Sequence, residues 1–328
     1  MTQRVVIAGG SGFIGQYLAA AYRTAGAEVS SIGRQGSASD AHWGDLPAIR
    51  QLVDGADLLI NLAGKSVNCR YSEANRAEIL RSRVDTTAAL SDAVQAASAP
   101  PPLWINSSTA TIYRHADDRP MAESTGEIGA GFSVGIATAW EKTFFAAELP
   151  GTRRVALRMA IVLGDGSALA PLIRLARAGL GGPQLDGRWF STRARRAAGT
   201  FHEYRRRTSS GRQKFSWVHI EDVLQIIRFL ESHDRLEGVI NASSPNPTDN
   251  RSFMSTLRRV LGVRFGLAPS RWMLELGSMA IRTETELVLK SRWVVPERLV
   301  DAGYTFRFPT LEPALRNIVG TRRIRSSL

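Results

Sequence analysis

The stretch Arg4-Val5-Val6-Ile7-Ala8-Gly9-Gly10-Ser11-Gly12-Phe13-Ile14-Gly15 constrains this chain more than any other. Val5 to Ala8 form an apolar run suited to a strand buried on both faces, and the glycine cluster then opens a helix near Phe13. Strand, side-chain-free turn and helix, in that order, put unpaired N–H groups and a partial positive charge where a pyrophosphate can approach. The spacing Gly9-x-x-Gly12-x-x-Gly15 therefore predicts a dinucleotide site built on Gly9, Ser11, Gly12, Phe13, Ile14 and Gly15, a mere tight turn being the alternative. A phosphate loop of the other kind is excluded, because no Gly-Lys-Ser/Thr follows.

With 328 residues, 44% of them apolar, the chain can bury the core of one large α/β domain or of a main domain with a smaller appendage. No run reaches the ~18 to 20 apolar residues of a membrane helix. The amino terminus enters its first strand at once, leaving no room for a secretory signal, so the expected location is the cytoplasm. One cysteine, Cys69, offers neither a disulfide nor a metal cluster, in line with a reducing compartment, and no metal site is expected. The formal charge of +12 raises the question of nucleic acid. Residues 188 to 214 carry nine Lys or Arg against one Glu, and the tail adds Arg322, Arg323 and Arg325. The charge thus belongs to a loop and a tail, not to a groove across the body, and the pI does not argue for DNA binding.

Along the chain, helix Phe13 to Ala25 leads to a parallel strand Glu28 to Ile32 and then Gly33-Arg34. The end of this strand meets the adenosine ribose in nucleotide folds, where an acid favours NAD and a base favours the 2′-phosphate of NADP. Arg34 offers a planar donor fork there, so NADP(H) is preferred over NAD(H); a solvated surface arginine is the alternative. Asp45-Leu46 marks the next junction, with Asp45 a helix cap or a neighbour of the adenine. Leu58 to Asn61 ends in the small turn Leu62-Ala63-Gly64, which again permits close approach of the cofactor. Ser72 to Ala97 reads as one long helix, Pro100 to Pro102 stop it, and Leu103 to Ser108 form a strand with Ser107, Ser108 and Thr109 at its tip. Helices near 134–148 and 169–178, strands at 154–158 and 239–241, and a strand and helix from Ser216 to Phe229 continue the alternation. The expected fold is a Rossmann-like doubly wound parallel sheet over 1–249 with a small, mostly helical carboxy-terminal appendage over 250–318 and a basic tail over 319–328. The arginine-rich run near 188–211 interrupts this pattern and reads as a loose surface loop, a basic lid over an anionic substrate, or a docking arm.

These stretches resemble the extended short-chain dehydrogenase/reductases, and within them the atypical epimerase-like branch that ends in a carboxy-terminal domain of unknown function. The residues that carry the resemblance are Gly9 to Gly15, Asn61 to Gly64, Ser82-Arg83-Val84 with Thr86-Thr87, Ser107-Ser108, Trp140-Glu141, Leu157-Arg158 through Gly164, Phe215 to His219 with Asp222, Asn241-Ala242, and Val295 to Leu299 before Ala302-Gly303-Tyr304. The resemblance spans nearly the whole chain apart from about 188–211. It implies an NADP-binding domain whose cleft is closed by carboxy-terminal segments.

It also exposes departures. The superfamily pairs a serine with a tyrosine and a lysine four residues later, because hydride transfer at a carbonyl needs a matched proton transfer. Ser107 or Ser108 fits the serine, but Ser133, Val134, Ala137 and Thr138 stand where the Tyr-x-x-x-Lys pair would lie. Tyr113, six residues after Ser107, is the candidate acid, against a tyrosine packed in a loop. Arg83 stands in for an asparagine of related enzymes, or is a helix-face charge. Cys69, Arg70 and Tyr71 occupy the place of two arginines and a tryptophan, and His219 reads as structural. The expectation is an NADP(H)-dependent oxidoreductase or nucleotide-sugar epimerase-like enzyme for a small polar substrate, as monomer or homodimer, without nucleic-acid or membrane partners. The alternative is a catalytically inactive NADP(H)-sensing protein.

Overall fold

The computed structural model describes residues 2–166, 169–280 and 284–326, excluding the side chains of residues 279, 280, 287 and 323–326. Strand β1 (Arg4–Ala8) feeds α1 (Phe13–Thr24), followed by β2 (Glu28–Gly33), the short β3 (Ala41–His42), α2 (Leu46–Val53), β4 (Leu58–Asn61), α3 (Glu73–Gln95), β5 (Leu103–Thr109), α4 (Phe132–Ala146) and β6 (Arg153–Met159). Then come β7 (Ile161–Leu163), α5 (Leu169–Arg177), α6 (Arg193–Ala197), β8 (Lys214–Phe215), β9 (Trp217–His219), α7 (Ile220–Glu231), β10 (Gly238–Ala242) and β11 (Thr248–Asp249). Helices α8 (Asn250–Leu261), α9 (Arg271–Ala280), α10 (Glu286–Leu289), α11 (Glu297–Asp301) and α12 (Leu311–Ser326) complete the chain.

Seven strands form one parallel sheet in the order β3-β2-β1-β4-β5-β6-β10. Both faces are buried, which is why the strands read as unbroken apolar runs. Side-chain alternation divides them: Val5, Ile7, Leu103 and Ile105 pack with Leu18 of α1 and Ile226 of α7, while Val6, Leu59 and Trp104 pack with Leu90 of α3 and Phe144 of α4. Strand order reverses between β1 and β4, so the crevice for a ligand opens at their carboxyl ends. The long helix α3 begins where Ser72 Oγ accepts the Asn75 amide at 3.3 Å.

Two stretches of the carboxy-terminal half are joined to the body by specific contacts. The run 188–211 is packed against the body, and its Arg195 finds buried carboxylates in the carboxy-terminal region. Arg195 pairs with Glu284 at 3.1 Å, and Thr200 and His202 are buried. Gly199 O accepts the Phe132 amide at 3.1 Å, which fastens the run to the amino end of α4. Residues 250–318 also pack against the body. Helices α8 and α12 share an apolar cluster with α5 and Trp217, and Asn241 Nδ2 donates to Val295 O at 3.0 Å. Residues 319–326, expected as a tail, extend α12, held by burial of Ile318 and Val319; the side chains of Arg323 and Arg325 lie outside the described residues.

Candidate active site

The turn between β1 and α1 is closed against the turn after β4. Gly9 has φ +81°, and a Cβ there would sit 2.9 Å from the backbone of Leu62 and Ala63. At Gly15 it would sit 2.6 Å from Gly9 O. Both positions therefore require glycine, for close backbone approach rather than for flexibility. Gly12 caps α1 with no side-chain hydrogen bond, and no acid lies in the first turn, so the amide end keeps its positive field. Gly12 and Ser11 are exposed. The Phe13 ring packs towards Gly164 and Gly166, and Ile14 packs against the core, leaving their backbone amides at the turn.

At the end of β2, Arg34 is exposed and has no ion pair among the described residues. Ser37 Oγ donates to Arg34 O at 2.5 Å and shares a 2.9 Å hydrogen bond with Ser39. Asp45 caps α2, accepting the Ala48 amide at 3.1 Å, with Leu46 exposed beside it. The bare amides at the end of α1 fit the diphosphate of a dinucleotide.

Beyond Leu62, the Ala63 amide donates to Asn61 Oδ1 at 3.0 Å, and Asn61 Nδ2 donates to Asn106 Oδ1 at 2.7 Å and to Thr87 Oγ1 at 3.1 Å. Trp140 Nε1 donates to the same threonine oxygen at 2.9 Å. Arg83 clamps the Gly64–Lys65 turn, with Nη1 3.0 Å from Lys65 O and the guanidinium 5.1 Å from the Trp140 ring centroid. Burial pushes that guanidinium down to about 10. A Cβ on Gly64 would meet it at 3.0 Å.

The tip of β5 separates the two candidate serines. Ser108 points to the α4 face and donates to Glu141 Oε1 at 2.5 Å. Glu141 in turn accepts from Arg158 at 2.8 and 2.7 Å, and Arg158 Nη1 donates to the Tyr113 hydroxyl at 2.9 Å. The Tyr113 hydroxyl donates a hydrogen bond to Asn241 Oδ1 at 3.0 Å, and the residue is 2% exposed. Burial raises its pKa, Arg158 opposing. Of the candidate serine and acid, Ser108 and Tyr113 both have their hydroxyls engaged by a buried ion pair. Ser107 is half-buried on the opposite face, and strand alternation puts Thr109 beside it, a residue that period-two reading could have selected. His219 caps α7 through Nδ1, 3.1 Å from the Glu221 amide, and its ring lies tilted against Phe308 with the centroids 4.0 Å apart.

Facing this edge is a wall that sequence spacing gives no means to find. Ser133 Oγ donates to Glu286 Oε2 at 3.3 Å, Lys290 Nζ donates to Thr111 O at 2.8 Å, and Arg292 Nε donates to Thr111 Oγ1 at 3.2 Å. Glu286, Lys290 and Arg292 are all buried.

Residues 5–243 match the NAD dependent epimerase/dehydratase family, and residues 270–318 match a domain of unknown function (DUF1731). Epimerase family protein SDR39U1 of Mus musculus is 31% identical over 325 residues, spanning 96% of this chain and 99% of its own. Epimerase family protein YfhF of Bacillus subtilis is 28% identical over 330 residues, spanning 97% and 99%. The crystal structure of human epimerase family protein SDR39U1 with NADPH superimposes with a TM-score of 0.80 at 28% identity, over 97% of this chain and 99% of that one. MoeE5 in complex with UDP-glucuronic acid and NAD shares the fold, with a TM-score of 0.69 at 21% identity over 98% and 99%. With the family matched from β1 through β10, this chain belongs to the NAD dependent epimerase/dehydratase family.

Proposed function

We propose that the chain is an NADP(H)-dependent oxidoreductase, or an epimerase-like enzyme, acting on a small polar substrate. The observation that carries the reading is the convergence of an uncapped helix end and an unpaired Arg34 on the carboxyl edge of the sheet. The solved relative with NADPH supports it. Gly9 to Gly15 hold the diphosphate, Arg34 takes the 2′-phosphate, and Leu62 to Gly64 line the path to the reacting end. The bound nicotinamide supplies or accepts a hydride. The protein orients the substrate with Ser107 and Thr109, and shields the site from water with the wall of Glu286, Lys290 and Arg292. Ion pairs from Arg195 to Glu284 and from Arg207 to Asp117 take up part of the basic character of residues 188 to 214, which argues against a nucleic-acid partner.

A second reading, a sensor of NADP(H) without turnover, is favoured by the commitment of the Ser108 and Tyr113 hydroxyls to the Glu141–Arg158 pair. The test is a melting experiment with NADPH followed by nicotinamide absorbance over a panel of carbonyl and nucleotide-sugar metabolites. Turnover of a panel member supports the enzyme, binding without turnover supports the sensor, and no binding overturns both.

A further inference from the structure

Helix α9 presents its polar side to the protein and its apolar side outward. Arg271, Glu275 and Ser278 are buried, with Arg271 bonded to Asp186 at 2.7 Å and to Glu275 at 2.8 Å. Trp272 and Leu276, one turn apart, are 55% and 49% exposed. A surface helix ordinarily buries its apolar stripe. Neighbouring segments continue this face. The Leu267 amide donates to Gly179 O at 2.8 Å, and the Gly182 and Leu185 amides donate to Leu267 O and Pro269 O at 2.9 Å, so the segment before α9 lies against the one after α5. Leu180, Phe265 and Leu267 of these segments are exposed. A Cβ on Gly187 would sit 3.3 Å from the Arg271 side chain, and three residues on Phe190 is 88% exposed. Single apolar residues on a surface are ordinary, whereas several on contiguous segments mark a contact face.

The same segments carry Arg174, Arg177, Arg188, Arg193 and Arg264, all exposed and outside every ion pair among the described residues. The acids within 174–193 and 264–276, Asp186 and Glu275, have side chains 2% and 4% exposed and are paired with Arg271. The next acid along the run, Glu203, pairs with Arg196 at 3.6 Å.

We propose that this face, centred on α9, binds the surface of a bilayer that carries anionic lipids. The exposed aromatic and leucine side chains enter the boundary of the acyl chains, and the arginines meet the lipid phosphates. Apolar groups interspersed with unpaired arginines match that partner in both respects, since hydrocarbon takes the first and anionic headgroups the second. A second copy of the chain fits less well, because a face-to-face pair would set the same arginines of two chains, each of net charge +12, against one another. None of the described helices is long and apolar enough to cross a membrane, and binding along the surface needs none. The face lies on segments other than the glycine turn of α1, so lipid binding and dinucleotide binding are separable by mutation.

The test is cosedimentation of the full chain with vesicles of phosphatidylcholine alone and of equal parts phosphatidylcholine and phosphatidylglycerol. Wild type is expected to bind the mixed vesicles at least about 10-fold more tightly than the neutral ones. Trp272→Gln with Leu276→Gln weakens binding to the mixed vesicles about 10-fold and leaves the melting temperature unchanged, both side chains being exposed. Phe190→Ser, on a separate segment, weakens it less but in the same direction. Arg174→Gln with Arg264→Gln also weakens it, whereas Arg50→Gln with Arg81→Gln, an equal loss of charge on α2 and α3, leaves it nearly unchanged. Failure of wild type to bind the mixed vesicles, unchanged binding in the Trp272 and Leu276 variant, or equal losses for the two arginine pairs overturns the proposal. So does a wild-type dimer in sedimentation velocity that the Trp272 and Leu276 changes split into monomers, which would assign the face to a second copy. If that variant does not fold, Phe190→Ser decides, and unchanged binding there overturns the proposal.

Discussion

Arg158 meets Glu141 side-on beneath the carboxyl edge of the sheet, with Nε 2.8 Å from one carboxylate oxygen and Nη2 2.7 Å from the other. The pair is almost free of solvent, and the hydroxyls of Ser108 and Tyr113 complete its hydrogen bonding. Four segments distant in sequence are held in register by one desolvated ion pair: β5, the loop after it, α4 and β6.

Breaking that pair is expected to cost far more than removing it. Arg158→Met strands a buried carboxylate and should destabilise the fold by about 3–5 kcal/mol. The double change Arg158→Met with Glu141→Met should recover most of the loss. Urea unfolding of the three proteins measures both effects, and equal destabilisation in single and double variants would count against the pair as the organising contact.

The glycine turn makes a steric prediction. A Cβ at Gly15 lies 2.6 Å from Gly9 O and 2.8 Å from the Gly10 Cα, both backbone atoms with little room to move. Gly15→Ala should therefore destabilise by about 1–3 kcal/mol and abolish NADPH binding. Gly135→Ala, at an α4 position where a Cβ meets nothing within 4 Å, should be neutral or stabilising by both measures.

His219 predicts the pH dependence. It is 3% exposed, and burial pushes its pKa down to about 4 against the attraction of Glu221. The unfolded chain, with a histidine pKa of about 6.5, takes up the proton first, so stability is complete above that pH and falls as pH drops towards 4. This group alone accounts for up to about 3 kcal/mol over that window. His115, also pushed down to about 4 by burial, acts in the same direction. His219→Gln should flatten the acid limb of stability against pH, measured by urea unfolding between about pH 7 and pH 4.5.

The fold was legible because strands buried on both faces leave unbroken apolar runs, and because Gly9 to Gly15, Ser72 and Pro100 mark helix and turn boundaries locally. Sequence could nominate Ser108 and Tyr113 from position, but not reveal that Arg158 and Glu141 consume both hydroxyls. The contacts of Arg195 could not be read from its own run because its partners, Glu275 and Glu284, lie in a distant segment. The wall of the site was invisible for the same reason: Tyr71 and Glu284 are joined by a hydrogen bond across 213 positions, and no spacing rule reaches that far. Thr109 was within reach, since alternation along β5 sets it beside Ser107.

The central claim is that the bare end of α1 receives a dinucleotide whose 2′-phosphate is held by Arg34. The most direct measurement is fluorescence titration of NADPH and NADH into wild type and Arg34→Ala. One charge-assisted phosphate contact predicts a loss of about 10- to 100-fold for NADPH in the variant, with NADH affinity nearly unchanged. Equal losses for both dinucleotides, or binding of neither by wild type, would contradict it.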